Sequence, residues 1–243
     1  MKFENTEVFN IKGALRGMRN PLESWDKSDS TNDNSNGFVI GEKDLKLAQS
    51  LIKARPEHRK FLRQITTCVD ITAPIYWWKE FDTYKVGTTA NSTSTMHRLL
   101  STPITMECFE MEDYEPNLLV YDRQPYNLDN LMCDIWEEMI CHLETLRKRA
   151  IEYANASKRE DITCSERKHF VSVSKYYWKE LIRLLPESWL QKRTVTVNYE
   201  NILNMCDQRE GHKLSEWHKF IEWAKSLPYA ENLLFINRES DQI

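Results

Sequence analysis

The chain has 243 residues, 41% hydrophobic and 29% charged, an ordinary globular balance with room for one large domain or two small ones. Its formal net charge of −4 excludes the global basic footprint of a nucleic-acid binder, while a local basic pocket for a phosphorylated small molecule stays open. No apolar leader opens the chain, and no apolar run approaches the roughly 18 residues of a membrane span.

Six cysteines (Cys68, Cys108, Cys133, Cys141, Cys164 and Cys206) show neither C-x-x-C nor zinc-finger spacing. His212 and His218 are six apart rather than at the i, i+4 spacing of a helical zinc pair. These features predict free thiols, a cytoplasmic setting, no metal site and no membrane partner. There are only six glycines and no G-x-G-x-x-G or G-x-x-x-x-G-K motif, which argues against a Rossmann or P-loop nucleotide site. A phosphate-bearing ligand would be held by side chains and ordinary backbone.

In chain order, residues 7–12 suggest a short opening strand. The Asp/Asn/Ser-rich run 26–37 predicts a mobile loop. Leu45, Leu47, Ala48, Leu51 and Ile52 follow at helical spacing, and Pro56 restarts a helical stretch carrying His58, Phe61 and Leu62. In Gln64–Thr72 the alternation of Ile65, Thr67, Val69 and Ile71 predicts a strand. Pro74 ends it and can open a short aromatic helix. Residues 87–95 are small, polar and nearly uncharged, either a ligand loop rich in hydroxyls or a flexible surface loop.

Asn127 can cap a long helix running to Ala156, with an apolar stripe from Leu128 to Leu146. Within it, Arg147-Lys148-Arg149 reads as a solvated face. Residues 155–169 read as a loop, and 173–185 as a helix stopped by Pro186. A strand at 193–197 and helices at 198–208 and 214–227 complete the core, with a loose tail from Tyr229 to Ile243. Strands and helices mix without a regular βαβ repeat, so the expected fold class is α+β (irregular α/β) in a single domain spanning 1–243.

The segment 184–216 resembles the C-terminal signature of flavin-dependent thymidylate synthases: Leu-Pro, a strand ending in Thr-x-Asn, a helix ending in Arg, then His-Ala-Gln-x-Glu. Pro186, Thr196, Asn198, Asn204 and Arg209 stand at that signature's spacing, and His212 and Glu216 match after a one-residue deletion. A second resemblance lies in Ala73-Pro74-Ile75 and the motif R-H-R-x-x-S-x-N-E-x-S-x-R-Y that follows in the family. The R-H-R positions fall on Thr83, Tyr84 and Lys85, of which Lys85 keeps a positive charge. With one residue inserted, Asn91 and Ser94 match. The Glu becomes Ser92, the later Arg becomes Met96, and Arg98 stands two residues on. An Arg expected two residues after Asn198 is Glu200 here, a charge that would repel phosphate.

The resemblance implies a thymidylate synthase-like fold with a mixed sheet flanked by long helices. It implies FAD as cofactor, dUMP as substrate, and NADPH and methylenetetrahydrofolate as co-substrates, in a homo-oligomer (a homotetramer). It also implies cofactor contacts for Asn198, Asn204, Lys85 and Asn91, and nucleotide contacts for Arg209, Ser94 and Arg98, with Arg209 the catalytic cation beside the base. Two plainer roles stay open: Asn198 as a helix N-cap and Arg209 as a cation favoured at a helix end. A non-catalytic oligomeric or nucleotide-binding protein on the same fold is the alternative reading.

Overall fold

The computed structural model describes residues 1–33, 37–114 and 128–236. The chain forms two compact units. One comprises Met1–Thr72, Trp77–Asn91 and Lys192–Ile243; the other comprises Ala73–Tyr76 and Ser92–Gln191.

The first unit is built on a four-stranded sheet of order β1-β4-β6-β5, formed by β1 (Lys2–Phe9), β4 (Thr66–Pro74), β6 (Leu190–Asn198) and β5 (Thr88–Ser92). In β4 the anticipated alternation is present: Thr67, Val69 and Ile71 are buried, because alternate side chains of a strand point to one face, and Ile65, just before the strand, is buried as well. β1 pairs antiparallel with β4, Phe3 opposite Ile71 and Val8 opposite Thr67, and its register shifts between Glu4 and Glu7 around Asn5, whose φ is 53°. The strand therefore begins at Lys2, earlier than residues 7–12 suggested, and the chain is already helical at Ile11.

That helix, α1 (Ile11–Arg19), packs near α2 (Glu42–Ala54), and a 3-10 segment at Arg59–Gln64 leads into β4. The polar run 26–37 is ordered where described. Thr31–Asp33 (β2) and Gly37–Val39 (β3) pair antiparallel, and Asp29 and Ser30 bond to the start of α2. Asp44 on α2 accepts from the Arg19 Nε (2.5 Å), Ser28 Oγ (2.6 Å) and Ser30, which ties this polar segment to two helices. Polarity signalled exposure; the hydrogen bonds to a buried carboxylate supply the order instead.

The core of this unit is aromatic. Trp77, Trp78 and Phe81 of α3 (Ile75–Phe81) pack with Trp217 and Phe220 of α8 (Ser215–Lys225), Trp77–Trp217 centroids 4.9 Å apart, and Phe220 carries the cluster on to Trp223 and Phe3. Between β6 and α8 lies α7 (Tyr199–Arg209), whose Ile202, Leu203, Met205 and Cys206 are buried. A short helix α9 (Ala230–Leu233) buries Leu233 and Leu234, so this part of the tail packs; residues 237–243 lie outside the described residues.

The second unit is dominated by α5 (Leu128–Ala156) and α6 (Cys164–Leu184). The proposed cap Asn127 lies outside the described residues, as do the side chains of Leu128 and Leu131. Leu143 and Leu181 pack with Leu99, Ile104 and Phe109 into a separate apolar core. α6 begins nine residues earlier than the apolar pattern indicated. Thr163 accepts from the Glu166 backbone N–H, while the Glu166 carboxylate accepts from the Thr163 N–H, a reciprocal capping box. Its first turns are polar on all sides, so periodicity was silent there. Arg147, read as part of a solvated face, is buried: its guanidinium donates twice to Glu144 (2.7 and 2.7 Å) and once to the Leu100 carbonyl (3.0 Å). Residues 87–95, left open between ligand loop and surface loop, form β5 and the approach to the one-turn helix α4 (Thr95–Arg98).

The architecture is α+β. Among the described residues no helix is long and apolar enough to cross a membrane, and no cluster of three or more His, Cys, Asp or Glu could hold a metal ion. All six cysteines are free thiols.

Candidate functional site

Five of the sequence-derived residues, Lys85, Asn91, Asn198, Asn204 and Arg209, belong to the first unit, and two, Ser94 and Arg98, to the second. In the first unit Asn198, Asn204 and Arg209 each centre a group of contacts along α7, while Lys85 and Asn91 lie elsewhere.

At the C-terminal end of α7, Arg209 is mostly buried, with 19% of its side chain exposed. Its Nε donates to the Tyr84 hydroxyl (3.0 Å), its Nη1 lies 2.9 Å from Glu80 Oε2, and the same nitrogen is 3.2 Å from His212 Nε2. The guanidinium lies 4.7 Å from the Trp217 ring centroid, a stacking that Arg favours because its planar cation is weakly hydrated. The Trp217 indole N–H donates to the same Glu80 oxygen (2.7 Å). Arg209 is thus a preorganised cation, fixed in plane and direction by an acid, a phenol and an indole.

At the N-terminal end of α7, Asn198 is the N-cap: its Oδ1 accepts from the Asn201 N–H (2.9 Å). Its Nδ2 group faces Gly87, where an added Cβ would stand 2.5 Å away. Gly87 has φ +72°, a left-handed conformation that glycine adopts without strain. Asn201 completes the turn, its amide donating to the Val86 carbonyl and to Thr88 Oγ1 (3.2 Å). The start of α7 therefore grips the turn that leads from Lys85 into β5.

In the middle of α7, Asn204 Oδ1 accepts from Arg59 Nη2 (2.9 Å). Glu200, one turn earlier and buried, ion-pairs with Arg63 and stands 3.5 Å from Arg59 Nε. The repulsion expected from Glu200 is thereby cancelled: two guanidiniums from the 3-10 segment neutralise it inside the fold. Asn198 and Asn204 each spend the amide oxygen on the protein and keep an NH2 donor.

Lys85 lines a cavity of about 390 Å³ with Tyr84, Thr88 and Arg193. Arg193 donates to Asp82 (2.7 Å) and lies 4.2 Å from the Trp78 ring centroid. Asn91 is exposed on β5. In the second unit Ser94 is the N-cap of α4, its hydroxyl accepting from the His97 N–H (3.3 Å), and the Arg98 side chain is exposed.

Sequence reasoning missed Glu80, Asn201, Arg59 and Trp217. Each acts on a residue that motif spacing had found; Glu80 and Arg59 do so from more than 100 residues away, where spacing carries no signal, whereas Asn201 and Trp217 lie nearby outside the matched positions. Only the small-residue step at Gly87 was a local signal of the Asn198 contact.

No family model matches the sequence, and no curated protein matches it. Solved structures do. The chain is similar to the flavin-dependent thymidylate synthase ThyX from Helicobacter pylori complexed with FAD and dUMP, with a TM-score of 0.59 and 16% identity over 97% of this chain and 98% of that one. A second structure of that Helicobacter pylori enzyme with FAD and dUMP gives a TM-score of 0.57 and 16% identity over 94% of each chain. The fold is that of flavin-dependent thymidylate synthases, across nearly the whole length of both chains.

Proposed function

We propose that this protein is a flavin-dependent thymidylate synthase-like enzyme that binds FAD and dUMP and transfers a one-carbon unit to the pyrimidine. The observation that carries this reading is the fixed Arg209 guanidinium at the end of α7. A cation held in a partly water-excluded site needs no reorganisation when negative charge develops on a bound ring, and that is the effective form of electrostatic catalysis. The aromatic and hydrogen-bonded partners of Arg209 set its plane so that its remaining N–H groups can meet a uracil edge.

The residues present fit a flavin. Asn198 and Asn204 keep amide NH2 donors suited to ring carbonyls, and Lys85 offers an ammonium with no partner among the described residues. A bound flavin would supply the redox chemistry, with NADPH as hydride source and methylenetetrahydrofolate as one-carbon donor. The protein's part is placement. In the first unit Lys85 and the Thr88 hydroxyl hold an anionic oxygen, Asn91 extends the polar contacts, and Arg209 orients the base; Ser94 and Arg98 are carried as nucleotide-binding candidates of the second unit. The expected assembly is a homotetramer, and no nucleic acid or membrane partner is proposed.

A second reading is favoured by one observation: Arg209 is already paired with Glu80, and the positions of the family's first two R-H-R residues carry Thr83 and Tyr84. A protein that keeps the fold and binds a nucleotide without flavin chemistry would tolerate both. The deciding experiment incubates the purified chain with FAD, desalts it, and records the visible spectrum. Oxidised-flavin bands co-eluting with protein, and a rise in Tm with dUMP, support the enzyme. A colourless protein still stabilised by dUMP supports the second reading, and no response to either removes both.

A further inference from the structure

A larger cavity, of about 1020 Å³, lies in the first unit, with neither Arg209 nor Asn198 in its lining. It is bounded by α1, the turn after it, α2 and the 3-10 segment before β4. Its volume is at the top of the range of about 300–1,000 Å³ typical of small-molecule sites. The apolar wall is mostly aliphatic, with Met18, Pro21, Leu22, Leu47 and Leu51, and Phe61 and the His58 imidazole are its two aromatic rings. Leu22 is 83% exposed and presents an aliphatic side chain at the mouth of the wall.

The polar wall is cationic. Lys27, Lys43 and Lys60 line it, and none has an ion pair among the described residues. Arg63 adds charge but is committed to Glu200. Glu57 is the one acidic side chain on the described wall. This accumulation of positive charge runs against the net −4 of the whole chain. On α2, Lys43, Leu47 and Leu51 are spaced by four, so one helix face carries a cationic end and an aliphatic body.

The walls are braced. The buried Arg19 guanidinium donates to Asp44 on α2 (2.5 Å), to the Ser24 carbonyl (3.2 Å) and to the Lys27 carbonyl (3.3 Å), fixing the turn that carries Leu22 and Lys27 against α2. Gly17 lets Gln64 lie close on α1, since a Cβ there would meet Gln64 Oε1 at 2.6 Å. The cavity is held open by buried polar bonds rather than by accident of loop position.

We infer that this cavity is a binding site for an anionic amphiphile, an aliphatic chain ending in a carboxylate or phosphate, with the lysines on the head and the leucines on the chain. The aliphatic side chains outnumber the two rings and offer a body of chemistry matching an alkyl chain.

The test is calorimetric titration of the full chain with decanoate and decyl phosphate, both below their micellar concentrations. Saturable binding of both is expected. Decanol and decyltrimethylammonium should bind at least about tenfold more weakly, and inorganic phosphate weaker still. The triple variant Lys27→Glu, Lys43→Glu, Lys60→Glu removes exposed, unpaired side chains, so its Tm should hold while affinity for both anions drops by at least about tenfold. Leu22→Ser, at an exposed position, should weaken all alkyl ligands alike. Equal affinity for decanol and decanoate, indifference to the charge reversal, or phosphate binding as tight as decyl phosphate would each overturn the assignment.

Discussion

Arg209 and Glu80 form a 2.9 Å ion pair in which the carboxylate also receives the Trp217 indole N–H, so the cation expected to meet a nucleotide base is held by an acid from α3. Any anionic ring drawing on Arg209 shares it with Glu80. Replacing Arg209 by Ala is expected to abolish the rise in Tm produced by dUMP. Because Glu80 keeps the indole donor, the apo protein should lose only about 1 kcal/mol, the scale of a partly exposed ion pair. Thermal melts with and without dUMP check both parts; a retained dUMP shift would remove Arg209 from the site.

Glu80→Gln should separate placement from charge. The amide oxygen can still accept from Trp217, but the ion pair is gone. With Arg209 released from its acid, dUMP is expected to bind more tightly, by several-fold, while apo stability falls slightly. If dUMP affinity instead falls, Glu80 positions Arg209 productively rather than competing for it.

Gly87→Ala tests the turn gripped by α7. The substitution places a Cβ 2.5 Å from Asn198 Nδ2 at a residue with φ +72°. A left-handed L-residue costs about 1–2 kcal/mol even before the clash. A drop of at least that size in urea unfolding, with loss of any FAD retention, is expected. Unchanged stability would mean that the turn relaxes freely.

Asp44 gives a pH dependence. Burial pushes its carboxyl pKa up, but hydrogen bonds from Ser28, Ser30 and Arg19 outweigh burial and hold it below the ordinary value. A depressed folded pKa contributes stability that is fully present above the ordinary carboxylate value of about 3.9 and is lost as pH falls through the lower folded value. Asp44→Asn should therefore cost about 3 kcal/mol at pH 7, the scale of breaking a buried pair, with the gap to the parent narrowing below about pH 4. Urea titrations at pH 7 and pH 3 measure both; a gap independent of pH would show that charge is not what Asp44 contributes.

In the second unit, Glu144 accepts from Arg147 and from the Ile104 backbone N–H (2.9 Å), and these bonds lower its pKa. Glu144→Gln should destabilise by about 2 kcal/mol and speed amide exchange at Ile104, because it leaves a buried guanidinium without its anion. Protection at Ile104 equal to the parent's would mean that the apolar core alone holds that segment.

Much of this fold was legible because burial wrote it into residue spacing. β4 announced itself through Ile65, Thr67, Val69 and Ile71, and α7 through an asparagine placed to cap it. Elements stabilised by polar groups were harder to read. The first turns of α6 carry no apolar stripe, yet the Thr163–Glu166 capping pattern was present and would have moved the boundary. The segment 26–33 is ordered by a carboxylate that stands more than ten residues later. For the site, Arg209 and the asparagines could be found by spacing, whereas Glu80, Tyr84 and Arg59 act across more than 100 residues of chain, and local pattern carries no record of such pairings.

The register shift in β1 has a bearing on how copies of this protein behave in a crowded solution. β1 is one margin of the sheet, and an unbroken marginal strand is a template on which another chain can add. The left-handed Asn5, with its amide drawn onto Asp70, breaks the regular run of backbone donors and acceptors midway along that margin. Charged Glu4 and Lys192, paired at 3.0 Å, stand beside the break. Straightening this bend would lengthen an edge on which another strand could add, so the irregularity that made β1 hard to read also blunts that edge.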